Sequence, residues 1–222
     1  KLIEIYGFEM VNNWKFRMGT ENNNATKGSQ HTFDGNHEEY VKWYDYTAAA
    51  IREVLPGAEF GPGEFQGAVG PDGPEDPAVN YIKLAEHCIK EKNIATGENE
   101  IPFDFLANSS HCYPRWVEGK LRGAVDPEFR ASWSVNSYKN IVNGYDKLQK
   151  IPKYIFQFGI LRSEILVDGN YLSTNEPGGR GAALTFHVLF SMKELTNIKG
   201  IWHWNVAEKI EEDKLIFFSN GW

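Results

Sequence analysis

The sequence predicts an α/β fold built from parallel βαβ units. Three observations carry this. Strand-like apolar segments alternate strictly with segments of helical period, giving five strands with four intervening helices. The first strand alternates Trp14, Phe16 and Met18 with Lys15 and Arg17. A chain of 222 residues, 41% of them hydrophobic, can bury a sizeable core in one domain. Right-handed crossovers follow from the parallel strands. Five units fit an open doubly wound sheet, or the last five-eighths of a (β/α)8 TIM barrel, which sets eight strands in about 250 residues.

The elements justify this in order. "NHEEYVKWYDYTAAAIREVL" puts Tyr40, Tyr44, Thr47, Ala48, Ile51 and Leu55 on one helical face. Asn36 and Glu39 suit a capping box at its start, and Pro56-Gly57 stops it. "AEFGPG" is a short strand from Ala58. "DPAVNYIKLAEHCIKEKN" is a helix capped by Asp76, with Pro77 in its first turn and Tyr81, Leu84, Ala85 and Cys88 inward. "FDFLANSSHCYP" is a strand from Phe103 ended by Pro114. "SVNSYKNIVNGYDKLQK" is a helix with Tyr138, Ile141, Val142, Tyr145 and Leu148 inward. "KYIFQFGILRSE" is a strand, "RGAALTFHVLFSMKEL" a well-buried helix, and "IKGIWHWN" the last strand. The run "EKIEED", 208–213, reads as a solvated loop.

A formal net charge of −7 argues against a nucleic-acid partner, which would call for a basic face. Two cysteines, Cys88 and Cys112, make no disulfide framework and no C-x-x-C metal pair. No apolar run approaches the roughly 20 residues of a membrane span, so no membrane partner is expected. The chain opens on Lys1 rather than Met, so it reads as a processed or excised piece, from which any targeting segment would be missing.

Both architectures place chemistry at the carboxyl ends of strands. Those ends carry Glu21, Gly61 to Gly63, His111 with Tyr113, Glu164, and Trp202 to Asn205. "GPGEFQG" is no phosphate loop: Pro62 removes an amide donor and no Lys-Ser/Thr follows. Two isolated glutamates, aromatics and amides suit a sugar site. Aromatic faces stack on pyranose C–H faces, amides bond hydroxyls, and two carboxyls share acetal cleavage. Glu21 sits among Thr20, Asn22, Asn23 and Asn24. Such neutral neighbours leave a carboxyl free to gain and lose a proton, where an adjacent Lys or Arg would hold it ionised.

At this point the residues resemble a family. "YGFEMVNNWKFRMGTENNN", followed by "GNHEEYVKWYDYTAAAIREVLPGAEFGPG", resembles the fourth-strand region of glycoside hydrolase family 39 and its clan A relatives, which include β-xylosidases and α-L-iduronidase. "DFLANSSHCYP" is similar to their sixth strand, "FGILRSE" to the seventh and "GIWHWN" to the eighth. The ordered set covers nearly the whole chain. It implies a (β/α)8 TIM barrel, one catalytic domain over 1–222, with about the last five βα units here. The first three would precede Lys1 or come from a second chain. It implies a retaining glycosidase acting on an oligosaccharide or polysaccharide, secreted or periplasmic, with no metal or organic cofactor. Glu21 would be the acid/base and Glu164 the nucleophile, about 5 to 5.5 Å apart. His111, Tyr113, Asn22, Thr20 and Arg162 would line the substrate site, and Trp202 or Trp204 would form a sugar platform.

Thr20 stands where the family usually has Asn, and Asn22 where it has Pro. This motivates an alternative reading, a barrel that binds carbohydrate without catalysis. A second alternative is a non-sugar α/β enzyme with an open sheet. Simpler roles stand beside each assignment. Arg162, two residues before Glu164, can pair with it and would keep a nucleophile ionised. His111 and Cys112 point to opposite faces, which disfavours a metal. Trp202 and Trp204 share one face and can fill a core; Trp14 and Phe16 read as core.

Overall fold

The computed structural model describes residues 1–23, 33–67, 69–71, 79–112, 114–117, 120–123, 127–162, 166–167, 170–171, 174–175, 182–183, 186–187, 189–190, 198–203, 209–211 and 214–215. The chain divides into two compact units. The first joins Lys1–Asn108 to Ser137–Lys153, and the second joins Ser109–Asn136 to Tyr154–Trp222.

In the first unit, two short helices, α1 (Leu2–Tyr6) and α2 (Phe8–Val11), lead into strand β1 (Lys15–Thr20). Helix α3 (His37–Val54) crosses to β2 (Glu59–Glu64), which pairs parallel with β1 from Lys15↔Glu59 to Thr20↔Glu64. Asn36 and Glu39 close the expected capping box, each side chain accepting the other's backbone N–H at 2.9 Å. Helix α4 (Tyr81–Lys90) crosses to β3 (Leu106–Cys112). Asp104 N–H donates to the Phe60 carbonyl at 2.9 Å, Phe65 N–H donates to that of Ala107 at 3.1 Å, and Phe65 makes a parallel bridge to Asn108. Leu106 N–H donates to Pro152, just before β6 (Lys153–Arg162). The described strands of this unit thus follow one another in chain order without a reversal.

Several boundaries differ from the sequence reading. The α4 cap is Asn80, whose side chain accepts from Ile82 and Lys83 N–H at 3.1 and 3.0 Å. Asp76 and Pro77 lie outside the described residues. The third helix splits into α5 (Pro127–Val142) and α6 (Asp146–Gln149), because Gly144 takes a left-handed φ of 82° and ends the first piece. Strand β3 starts at Leu106 rather than Phe103, since the Asp104 side chain is turned to cap Phe60 N–H at 2.8 Å and to hold Arg52.

One apolar cluster fills the space between helices and strands. Met18, Phe60, Phe65 and Leu106 meet Tyr40, Tyr44, Ala48, Tyr81, Leu84, Tyr138 and Ile141. Trp14 and Phe16 are only half-buried; Phe16 packs against this cluster, and both pack against a small one of Val11, Leu55 and Ala58. Among the described residues four tyrosines are fully buried, and each hydroxyl donates to an acceptor in a strand or in the segment leading into or out of one. Tyr40 donates to the Met18 carbonyl at 3.3 Å, Tyr44 to that of Pro102 at 2.6 Å, Tyr81 to that of Glu64 at 3.2 Å, and Tyr138 to Asn108 Oδ1 at 2.5 Å. Burial pushes the Tyr40 hydroxyl up to about 12 and the other three well above their ordinary value, so all four remain donors.

The approach of β1 to β2 is closer than a side chain allows. A Cβ on Gly63 would overlap the Met18 carbonyl oxygen, and one on Gly61 would meet the Phe105 carbonyl at 2.9 Å. We expect Gly63→Ala to destabilise the fold by about 1–3 kcal/mol as an overpacked site. A thermal unfolding midpoint unchanged from the wild type would contradict this.

A charged cluster sits inside the helix layer. Fully buried Asp45 on α3 receives His87 Nε2 at 3.0 Å and Ile94 N–H at 2.6 Å, while His87 Nδ1 faces Glu91 at 2.9 Å. Burial lowers the His87 pKa, but the bonds and attraction of Asp45 and Glu91 outweigh it, and the net shift is upward. A raised histidine stabilises the fold fully below its unfolded value of about 6.5 and loses that contribution as pH climbs through the folded value. The stability gap between wild type and His87→Gln should therefore be widest near pH 6 and narrow at alkaline pH. Chemical denaturation across that range checks it; a gap that widens with pH would refute it.

In the second unit, β6 lies between β3 and β10 (Ile198–His203). A hairpin of β4 (Pro114–Val117) and β5 (Lys120–Gly123) follows β3. Pro114 thus opens a strand as well as closing one. Short pairs β7 (Leu166–Val167) with β8 (Asn170–Tyr171) and β11 (Lys209–Glu211) with β12 (Lys214–Leu215) are antiparallel, and β9 (Thr174–Asn175) adds to β6. The acidic run expected as a loop therefore contains a strand, in which Glu211 is the register partner of Lys214. Residues 182–183, 186–187 and 189–190 are helical, but Phe186 and Phe190 are 72% and 58% exposed rather than buried. An apolar helix is buried only where a facing layer covers it, which its own period does not supply. No described helix is long and apolar enough to cross a membrane.

Candidate active site

The site begins where β1 ends. Thr20, half-buried, is the last strand residue, and Glu21 N–H donates to the Glu64 carbonyl at 2.9 Å, carrying the ladder one bond further. The chain then turns. Glu21 has φ 51°, the one non-glycine among the described residues with a left-handed backbone, and Gly19 before it has φ 75°. That conformation costs a residue like Glu about 1–2 kcal/mol, and such outliers persist where surroundings over-determine them. Here the surroundings are polar side chains. Asn22 Nδ2 donates to the Met18 carbonyl at 2.6 Å. Asn23 makes two bonds to the Gln66 backbone, each 2.8 Å. Glu21, Asn22 and Asn23 are all buried.

A second carboxylate lies close by in the fold. Phe60 and Phe65 both pack on helix tyrosines although five residues apart, so strict alternation does not hold between them, while the β1–β2 register runs unbroken to Thr20↔Glu64. Glu64, fully buried, pairs with Arg17 at 2.6 Å, and Arg17 is itself opposite to Phe16 and Met18. Sequence reasoning missed this pair. Its signal was the G-P-G interruption inside "EFGPGEF", which breaks the period of two.

In the second unit, His111 is buried and its Nε2 lies 3.1 Å from Gln157 Oε1 on β6. Gln157, a polar residue inside "IFQFG", was also missed. Trp202 packs on Phe156 and Tyr154, with ring centroids 4.9 and 5.5 Å apart. Phe156 and Gln157 are consecutive in one strand, so Trp202 lies on the face away from His111. The structure therefore brings His111 to Gln157 and separates Trp202 from both. Arg162 closes β6. Tyr113, Glu164 and Trp204 lie outside the described residues.

Residues 1–163 match the family model of Glycosyl hydrolases family 39. The chain belongs to glycosyl hydrolase family 39. The matched span contains Glu21, His111 and Arg162 and stops one residue before Glu164. Solved structures resemble this family 39 chain in fold. One is the bacterial orthologue of human α-L-iduronidase, 14% identical with a TM-score of 0.52, over 70% of this chain and 23% of that one. The GH39 enzyme from Xanthomonas axonopodis pv. citri is 17% identical with a TM-score of 0.52, over 91% and 35%. A glucosidase from Croceicoccus marinus is 14% identical with a TM-score of 0.53, over 86% and 31%. These neighbours are TIM-barrel glycoside hydrolases, and the family 39 chain spans only 23% to 35% of their length. No curated protein gave a significant match.

The left-handed turn gives a stability prediction. Asn tolerates that backbone far better than Glu or a β-branched residue. Glu21→Asn should raise the unfolding midpoint, by about 1 kcal/mol of relieved strain, and Glu21→Val should lower it. The reverse order in differential scanning calorimetry would show that residue 21 is not strained.

Proposed function

We propose that this chain supplies the two catalytic carboxylates of a retaining glycoside hydrolase, on a (β/α)8 barrel of which it holds about the last five βα units. The observation that carries the reading is Glu21. It is a buried acid at the carboxyl end of a parallel strand, in a backbone conformation its side chain disfavours, inside the span that matches family 39. Acidic groups at strand ends are where such barrels put their chemistry, and stored strain gathers at working sites.

In this reading Glu164 attacks the anomeric carbon as the C–O bond to the leaving group breaks. Glu21 gives its proton to the departing oxygen. A water then displaces Glu164 from the glycosyl-enzyme while Glu21 takes the water's proton back. The anomeric configuration is retained, the outcome of enzymes whose two carboxyl groups stand about 5 to 5.5 Å apart. His111 with Gln157 offers hydroxyl contacts from neighbouring strands, and substrate is an oligosaccharide or polysaccharide.

A panel of aryl glycosides tests the reading. A 2-deoxy-2-fluoro glycosyl fluoride of the preferred sugar should leave a covalent label on Glu164, read by peptide mass spectrometry. Glu164→Gln should abolish turnover. Glu21→Gln should slow a phenyl glycoside by about 10²- to 10⁴-fold, the usual span of general acid catalysis. Label on another residue, or wild-type turnover by Glu164→Gln, would overturn the nucleophile assignment. Sugar binding without turnover by the wild-type chain would favour the non-catalytic alternative.

A further inference from the structure

The turn that presents Glu21 is held by a small buried network with a definite logic. Two carbonyls, Met18 and Glu64, each take two donors. Met18 O accepts Asn22 Nδ2 at 2.6 Å and the Tyr40 hydroxyl at 3.3 Å. Glu64 O accepts Glu21 N–H at 2.9 Å and the Tyr81 hydroxyl at 3.2 Å. A carbonyl has two lone pairs, so both are filled. Tyr40 adds contacts of 3.4 Å from Asn22 Nδ2 and from Gly63 N–H to its own oxygen. One hydroxyl from α3 therefore touches the ends of both β1 and β2 and the residue after Glu21.

These contacts close on one piece of backbone. Met18 O and Asn22 Nδ2 bracket residues 19 to 21, the stretch that contains both left-handed residues. Loss of the Asn22 bond would leave a strained Glu free to relax toward ordinary φ, which swings its carboxyl away. The Asn22 amide donates inward, to main chain and Tyr40. This suits a brace rather than a group that bonds a sugar.

We propose that Tyr40 and Asn22 are positioning residues: their bonds to Met18 O lock the left-handed turn and thereby aim the Glu21 carboxyl. The inference rests on the acid/base reading of Glu21 for its catalytic part, while the locking of the turn stands on geometry alone. Neither residue touches the substrate.

The test uses the full chain with Tyr40→Phe and Asn22→Ala, and Tyr44→Phe as control. Tyr44 loses an equally buried hydroxyl one helical turn away, bonded to Pro102 instead of the Glu21 turn. Two readouts are taken. Amide hydrogen exchange at Glu21 should quicken by about tenfold or more in Tyr40→Phe and Asn22→Ala, and not in the control. The kcat/KM of a phenyl glycoside, whose leaving group needs a proton, should fall about 10- to 100-fold. The kcat/KM of the 2,4-dinitrophenyl glycoside of the same sugar, which leaves unaided and whose kcat/KM does not report the later water attack assisted by Glu21, should change less than about threefold. A merely structural role would slow both substrates alike and so overturn the proposal. Unchanged exchange at Glu21 in both variants would overturn it too, as would quickened exchange with no change in either rate. If Glu21→Gln keeps the wild-type rate on the phenyl glycoside, the acid/base reading itself fails, and the exchange data alone decide whether Tyr40 and Asn22 lock the turn.

Discussion

Buried tyrosine hydroxyls join the helix layer of the first unit to its strands. A tyrosine inside a core brings a large apolar ring and a polar tip that must find an acceptor. Here each tip finds one: Met18 and Glu64 in strands and Pro102 ahead of β3 through their carbonyls, Asn108 through its side chain. Such bonds contribute about 0.5–1.5 kcal/mol each, but leaving a buried partner unmet costs more, so the pairings specify position as well as add stability. Helix placement, strand length and the turn after β1 are thus coupled.

The coupling explains why a strained residue can survive at position 21. Its backbone is disfavoured, yet the flanking groups are already committed. Gly63 must lack a side chain to let β2 approach β1, Gly19 must take the left-handed region, and Asn23 is bonded at both ends of its amide to Gln66. Each commitment is modest. Together they leave the chain no cheaper route past Glu21 that keeps the Glu64 ladder bond.

Two ion pairs in this unit show how charge is tolerated inside it. Arg17 reaches fully buried Glu64 while remaining about one-third exposed itself, so the arginine side of the pair stays in contact with water. Asp45 is fully buried and is met by His87 and by the Ile94 amide. A buried charge persists only when paired: Glu64 has its ion pair with Arg17, and Asp45 has both His87 and the Ile94 N–H. The first pair sits on the strand face away from the core, beside the turn that carries Glu21; the second lies within the helix layer.

The sequence by itself determined the alternation of strands and helices, the α3 capping box, the inward faces of α3 and α4, and the presence of an acid at the lip of β1. These follow from local periodicity and local hydrogen bonding, which neighbouring residues dictate. Only tertiary structure decided the rest. The G-P-G interruption marked that alternation breaks before Glu64, but only the fold set the side chain's direction and brought it to Arg17. The left-handed φ of Glu21 depends on carbonyls brought in by β2 and a hydroxyl brought in by α3. Trp202 was legible as a strand aromatic, but its face was set by which of Phe156 and Gln157 it met. Side-chain direction and backbone strain are properties of contacts between distant segments, and those contacts exist only once the chain has folded.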